Sequence, residues 1–262
     1  MSRSESDGLQ IKKMRAHTNS ASPSVPLPLL AFGELSVSGS TFVSPDLREQ
    51  WRSACARGGD QNGIPPLPRY KSMRRPLKDD LIYDAAGEDD EYYTPYTHSR
   101  VETLLDQNRH SIEHVVPQAH YDNRKAAIGP RDPNGWVVAE RRENSVRSDH
   151  PLLLWPEFDG PFALGHYEVP VEERARVARK WLYTRFQYAH ELTKHPPSRA
   201  QRAKAAELCA WALNHKPSEA ELRMNNEIFA DLGWSNPLIA GDAADRAVFL
   251  DNPEFRYAIF GS

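Results

Sequence analysis

The stretch Ser111-Ile112-Glu113-His114-Val115-Val116-Pro117 sets the frame for this chain. Its β-branched and hydroxylic residues favour extended backbone, and Pro117, which has no backbone donor, stops the run. A short strand is expected, delivering a carboxylate and an imidazole side by side at its end, just ahead of an irregular loop. Beyond the loop, Gly135 to Ala139 (GWVVA) again has strand character. Glu140 to Ser148 (ERRENSVRS) then has the charge content and arginines of a helix. The predicted order is strand, loop, strand, helix.

With 262 residues the chain can bury one substantial core and still carry a tail. Its 21 prolines and mean hydropathy of -0.67 point to a water-exposed protein with much irregular chain. No window approaches the run of about twenty apolar residues that crosses a bilayer, so no membrane partner is expected. The segment from Val25 to Phe32 is too short and too broken by proline for a secretory core. The expected location is the cytoplasm, or outside the cell by a route without such a signal. Cys55 and Cys209 stand far apart, which offers neither a disulfide framework nor a four-cysteine zinc site.

Residues 1–45 are rich in Ser, Pro and charge without apolar periodicity, and read as a disordered tail. Residues 46–98 read as an irregular extension holding one short helix, Leu47 to Arg57 with Trp51, followed by a turn-rich stretch and opposed basic and acidic runs up to Glu91. Residues 99–262 form the expected globular domain. It opens with a helix over Ser99 to Gln107, capped by Ser99 and Glu102. Its second half is helical. Val171 to Ala189 puts Val171, Ala175, Ala178, Leu182, Phe186 and Ala189 on one face and Arg174, Arg179, Lys180 and Arg185 on the other. Over 171–204 there are nine Lys/Arg against three Glu, enough local positive charge to follow a phosphate backbone although the whole chain carries -3. Ser198 caps a helix reaching about Asn214. Ser218 with Glu221 forms a capping box for another ending near Gly233.

The box Ile112-Glu113-His114-Val115-Val116-Pro117 and the later Glu143-Asn144-Ser145-Val146-Arg147-Ser148 resemble the EHVWP-type and N-S-x-R stretches of the endonuclease I family of nonspecific bacterial nucleases. That family belongs to the ββα-metal, or His-Me finger, superfamily. Val177 to Tyr183, Asn226-Glu227-Ile228 and Gly233 to Ile239 are similar to further stretches of it, so the likeness spans roughly residues 80 to 245. The resemblance implies an α+β fold, with a ββα-metal core embedded in a mainly helical domain. It also implies divalent-metal-dependent hydrolysis of phosphodiester bonds, on DNA first and RNA second, with little sequence preference.

Phosphodiester hydrolysis needs a base for water and a cation for the charge that builds on the phosphate and the departing oxygen. His114 fits the base, with its second ring nitrogen held by an acceptor such as a loop carbonyl. A hard ion, Mg²⁺ or Mn²⁺, prefers oxygen donors, and Glu113 and Asn144 supply a carboxylate and an amide oxygen. Arg147, three residues after Asn144, shares its helix face and is assigned to phosphate as transition-state support; it also lies four residues after Glu143, in reach of an ion pair. The assigned nucleic-acid contacts are Arg141, Arg142, Arg174, Arg179, Lys180 and Arg185. One departure from the family is Asp132-Pro133-Asn134-Gly135-Trp136, where Asn134 replaces a histidine and a remodelled second strand is expected.

Two rival readings remain. His110-Ser111-Ile112-Glu113-His114 matches the H-x-x-E-H motif of inverted zinc peptidases, which requires a helix that Ile112, Val115, Val116 and Pro117 oppose. The other rival is a noncatalytic interaction module on the same scaffold.

Overall fold

The structure, a computed structural model, describes residues 43–57, 93–98, 109–153, 162–163 and 166–261. These belong to one compact unit, Thr41–Ser262. The helix expected over Ser99 to Gln107 and the opposed charge runs before Glu91 lie outside the described residues. Of the tail expected over 1–45, only Val43, Ser44 and Pro45 are described, and they form the start of the first helix. The described fold is α+β with helices predominating, and among the described residues no helix is long and apolar enough to cross a membrane.

Helix α1 (Pro45–Cys55) begins where Ser44 Oγ accepts the Leu47 N–H and Pro45 supplies a preset φ. Leu47, Trp51 and Cys55, four residues apart, form its buried stripe. Trp51 meets Phe186 at 4.8 Å and Phe249 at 5.0 Å between ring centroids, and its Nε1 donates to Gln187 Oε1 at 2.6 Å. The short helix expected over Leu47 to Arg57 is thus present as Pro45–Cys55, and it is a wall of the core because its apolar stripe has a partner far along the chain.

Strands β1 (His110–His114) and β2 (Trp136–Glu140) pair antiparallel, from His110 opposite Glu140 to His114 opposite Trp136. Helix α2 (Arg141–Arg147) follows without a connecting loop. Gly135 governs where β2 starts. A Cβ there would lie 2.7 Å from Thr184 Oγ1, so β2 can start flush against the helix that carries Thr184 only with glycine before it. Three very short strands, β3 (Leu152–Leu153), β4 (Phe162–Ala163) and β5 (His166–Glu168), form a second sheet in the order β3-β5-β4.

Helix α3 (Val171–Gln187) is the central element. Around it lie α4 (Arg199–Ala203), α5 (Ala205–Asn214), α6 (Glu219–Leu232), α7 (Pro237–Ala240), α8 (Ala243–Leu250) and α9 (Pro253–Phe260). The capping boxes at Ser198 with Gln201 and Ser218 with Glu221 both form, and α6 ends on Gly233 at φ +64°. The single helix expected from Ser198 to Asn214 is broken at Lys204 into α4 and α5. Gln201 also donates its amide to the Leu152 carbonyl at 3.0 Å, which holds α4 to β3. The stretch from Gly233 to Ile239 is an internal joint: Trp234 Nε1 donates to Tyr183 Oη at 2.8 Å, and the Asn236 N–H to Asn225 Oδ1 at 3.0 Å.

The basic face assigned to α3 is not a surface. Arg174, Arg179, Lys180 and Arg185 are all buried, because α5, α7, α9 and the Pro133–Gly135 turn enclose the helix. Each cation joins elements together. Arg179 makes a two-pronged pair with Glu221, at 2.7 Å from NH2 to Oε2 and 3.1 Å from Nε to Oε1, and donates to the His215 carbonyl at 2.7 Å beyond the end of α5. Arg174 donates from Nε to the Val169 carbonyl, Arg185 to the His195 carbonyl, and Lys180 to the Asn134 carbonyl. Burial lowers the Lys180 ammonium to about 8 and the Arg185 guanidinium to about 10. The assignment of these four residues to nucleic acid is therefore corrected: a side chain sealed inside cannot reach a phosphate.

Candidate active site

The pleat of β1 divides the expected site between two faces. Ser111 and Glu113 project to one side, Ile112 and His114 to the other. Helix α2 sits on the Ser111/Glu113 side and satisfies the carbonyls that β1, as an edge strand, turns away from β2. Asn144 Nδ2 donates to Ser111 Oγ at 2.9 Å and to the Ile112 carbonyl at 3.1 Å. Arg147 donates from NH1 to the His114 carbonyl and from NH2 to the Val115 carbonyl, both at 2.9 Å. The three-residue spacing of Asn144 and Arg147 thus places both on one helix face, where they clamp the strand.

Arg147 NH1 also forms a buried ion pair with Glu113 Oε1, and Tyr96 Oη donates to the same oxygen at 2.5 Å. Glu113 is 3% exposed and Arg147 1%. Burial pushes the Glu113 carboxyl up, opposed by the Arg147 charge and by hydrogen bonds from Tyr96 and the His114 backbone. Two expectations are corrected here. Arg147 cannot receive a phosphate, because it is sealed from solvent and held by Glu113 and two strand carbonyls. Nor does it pair with Glu143, whose Oε2 accepts instead from Tyr167 Oη at 2.5 Å. Glu113 does not fit a divalent ion as folded, because a dication at Oε1 would stand beside a guanidinium already neutralising the carboxylate. Asn144 does keep an oxygen for a ligand, since both its bonds are made through Nδ2. Among the described residues no group of three or more His, Cys, Asp or Glu is placed to hold a metal ion.

On the opposite face, His114 is 8% exposed and packs edge-on against Trp136, at 5.7 Å and 65°. Its Nε2 lies 2.9 Å from the Pro130 carbonyl, which also accepts from Trp136 Nε1 at 3.3 Å. A carbonyl only accepts, so Nε2 carries a proton, and in the neutral ring Nδ1 keeps its lone pair. The Gln118 amide nitrogen lies 3.0 Å from Nε2 and 3.3 Å from Nδ1, and with the Nε2 proton directed at Pro130 only Nδ1 can accept from it. The orienting acceptor expected for His114 is thus a loop carbonyl, that of Pro130.

The departure at Asp132 to Trp136 becomes an anchor. Asp132 accepts from Tyr183 Oη at 2.6 Å, Tyr188 Oη at 2.7 Å and the Asn134 backbone and side-chain nitrogens at 2.9 and 3.0 Å. Its carboxyl is pushed up by burial, against the pull of the two tyrosine hydroxyls. Asn134 is buried on this anchor and has no bond to His114.

The zinc-peptidase reading fails on backbone alone. His110–His114 is a strand, which sends Glu113 to the face opposite both histidines. Arg141 and Arg142 are exposed and line a recess of about 560 Å³ with Thr97, Arg109, Glu140 and Glu143. Sequence reasoning missed Tyr96, Gln118 and Pro130. Only Gln118 had a local signal, as a polar residue directly after the proline stop. Compared with models of known protein families the chain matches none, and the search of curated proteins finds no match to it.

Proposed function

We propose that this chain is an endonuclease of low sequence preference, acting on DNA and secondarily on RNA. In this proposal β1, β2 and α2 are the ββα core and His114 is the general base. The bond from His114 Nε2 to the Pro130 carbonyl supports it most directly, because it leaves Nδ1 as an acceptor that can take a proton from water. A phosphodiester resists attack because its charge repels nucleophiles. Deprotonated water at Nδ1 overcomes part of that resistance. The Gln118 amide stands against the ring edge, 3.0 Å from Nε2 and 3.3 Å from Nδ1, so it must swing away for such a water to reach Nδ1. The Mg²⁺ or Mn²⁺ that the family resemblance implies would stabilise charge on the phosphate. Because Glu113 as folded does not fit that ion, no step here runs through it.

The test is incubation of the purified chain with supercoiled plasmid, linear single-stranded DNA and RNA, each with Mg²⁺, Mn²⁺ or EDTA. Cleavage in the metal arms that stops in EDTA is expected. Equal cleavage in EDTA would remove the ion from the proposal and leave His114 standing. No cleavage in any arm would sink it.

The second reading is a noncatalytic nucleic-acid-binding module, favoured by the closed Glu113–Arg147 pair and the small exposure of His114. Its signature is binding without cleavage. Of the cations assigned to nucleic acid, Arg141 and Arg142 are the exposed ones. Replacing each by Ala is expected to lower the slope of log affinity against log salt by about one unit. An unchanged slope, measured by fluorescence anisotropy with labelled DNA, would move the binding path elsewhere.

A further inference from the structure

We propose that Glu191 is a positioning residue for His114, acting through the Gly129–Pro130 turn that holds the imidazole. Its consequence for catalysis rests on His114 being the base; the positioning itself does not.

Glu191 closes the short turn Ala189–Glu191 that continues α3, and its side chain is 14% exposed. Its carboxylate accepts the Ile128 N–H at 2.9 and 3.1 Å and the Gly129 N–H at 2.9 Å. These two donors open the turn Gly129–Arg131, and the next residue, Pro130, has none. One carboxylate therefore takes every amide at the start of the turn. Further along, the turn closes on itself through Arg131 N–H to the Ile128 carbonyl at 2.8 Å and Asp132 N–H to the Gly129 carbonyl at 3.2 Å. Asp132 is then tied to Tyr183 and Tyr188.

Pro130 thus lies between two anchors that both derive from α3 and its continuation. Its φ is fixed by the ring, and the residues on either side are pinned, so the direction of its carbonyl has little freedom. The turn is also pressed against Tyr121: a Cβ on Gly129 would lie 2.3 Å from that ring. The carbonyl aimed in this way is the one that takes the His114 Nε2 proton at 2.9 Å. No sequence pattern joins Glu191 to His114, since they meet only through a backbone carbonyl.

The experiment records long-range ¹H–¹⁵N correlations of the His114 ring in the full chain, in Glu191→Ala and in Glu191→Gln. Asp122→Ala is the control. Asp122 ties the same loop to Thr193 and Lys194 but makes no bond to the Gly129–Pro130 turn. The unmodified chain is expected to show the Nε2–H tautomer. Glu191→Ala is expected to show a mixture, Glu191→Gln a partial return, and Asp122→Ala the unmodified pattern. The DNA cleavage rate is expected to fall about 10–100-fold in Glu191→Ala, as when the partner orienting a functional histidine is lost. Unchanged His114 signals in folded Glu191→Ala, or an equal change in Asp122→Ala, would overturn the proposal. If the unmodified chain cleaves nothing while the tautomer still shifts in Glu191→Ala, the nuclease reading falls and the positioning stands.

Discussion

Arg147→Ala is expected to destabilise the chain by about 3–5 kcal/mol, the cost of leaving one member of a buried ion pair alone. The guanidinium is 1% exposed and neutralises Glu113 while it satisfies the carbonyls of His114 and Val115. Its loss strands a carboxylate and two backbone acceptors at the joint between β1 and α2. Tyr96 and the His114 amide alone cannot replace a charge. The loss is a large share of the roughly 5–15 kcal/mol that holds a domain folded. Urea denaturation should show the midpoint falling with the slope unchanged. Removing both charges, as Arg147→Met with Glu113→Leu, should recover much of the loss, because the uncompensated charge is what costs. A single-variant loss under about 1 kcal/mol would show that Glu113 is solvated or held by other partners.

His114→Ala is expected to lower the DNA cleavage rate by about 10²–10⁴-fold, the usual contribution of a positioned general base. The substitution also removes a ring that packs on Trp136, so a loss of activity alone would be ambiguous. His114→Gln addresses this. Its amide can still donate to the Pro130 carbonyl, but it cannot take a proton near neutral pH. Both variants should lose cleavage while keeping the far-ultraviolet dichroism of the unmodified chain. A folded His114→Ala protein that cleaves DNA at the unmodified rate would make this histidine structural.

The parts legible in the sequence are those that local chemistry decides. Pro117 beyond the β1 run, the GWVVA run of β2 and the hydroxyl caps at Ser198 and Ser218 each act within a few residues of themselves. The spacing of Asn144 and Arg147 likewise fixed a shared helix face. What those side chains face was not legible. Arg147 points at Glu113 because α2 folds back on the edge of β1, a contact between residues 34 apart. Arg179 meets Glu221, 42 residues away. In α3 the periodicity set an apolar face apart from a charged one, yet Val171 is exposed, Ala189 lies beyond the helix and every residue from Glu173 to Phe186 is buried. A charged face reads as solvent-facing only when no other element covers it. Here α5, α7 and α9 do, and the Glu221 carboxylate of α6 and carbonyls from the neighbouring loops take the place of water. The carbonyl of Pro130 has no signature at all, since every residue carries one.

The four cations sealed along α3 also bear on how the molecule comes apart. Arg174, Arg179, Lys180 and Arg185 draw their partners from the chain before α3, from β2's approach turn, from α6 and from the loops after α3 and α5. If any one of those segments peels away while α3 stays covered, a positive charge is left in a low-dielectric interior, a state more costly than either the closed or the fully opened one. Intermediates with the helical layer half docked are therefore disfavoured, and the layer should open and close as one cooperative unit rather than fray helix by helix.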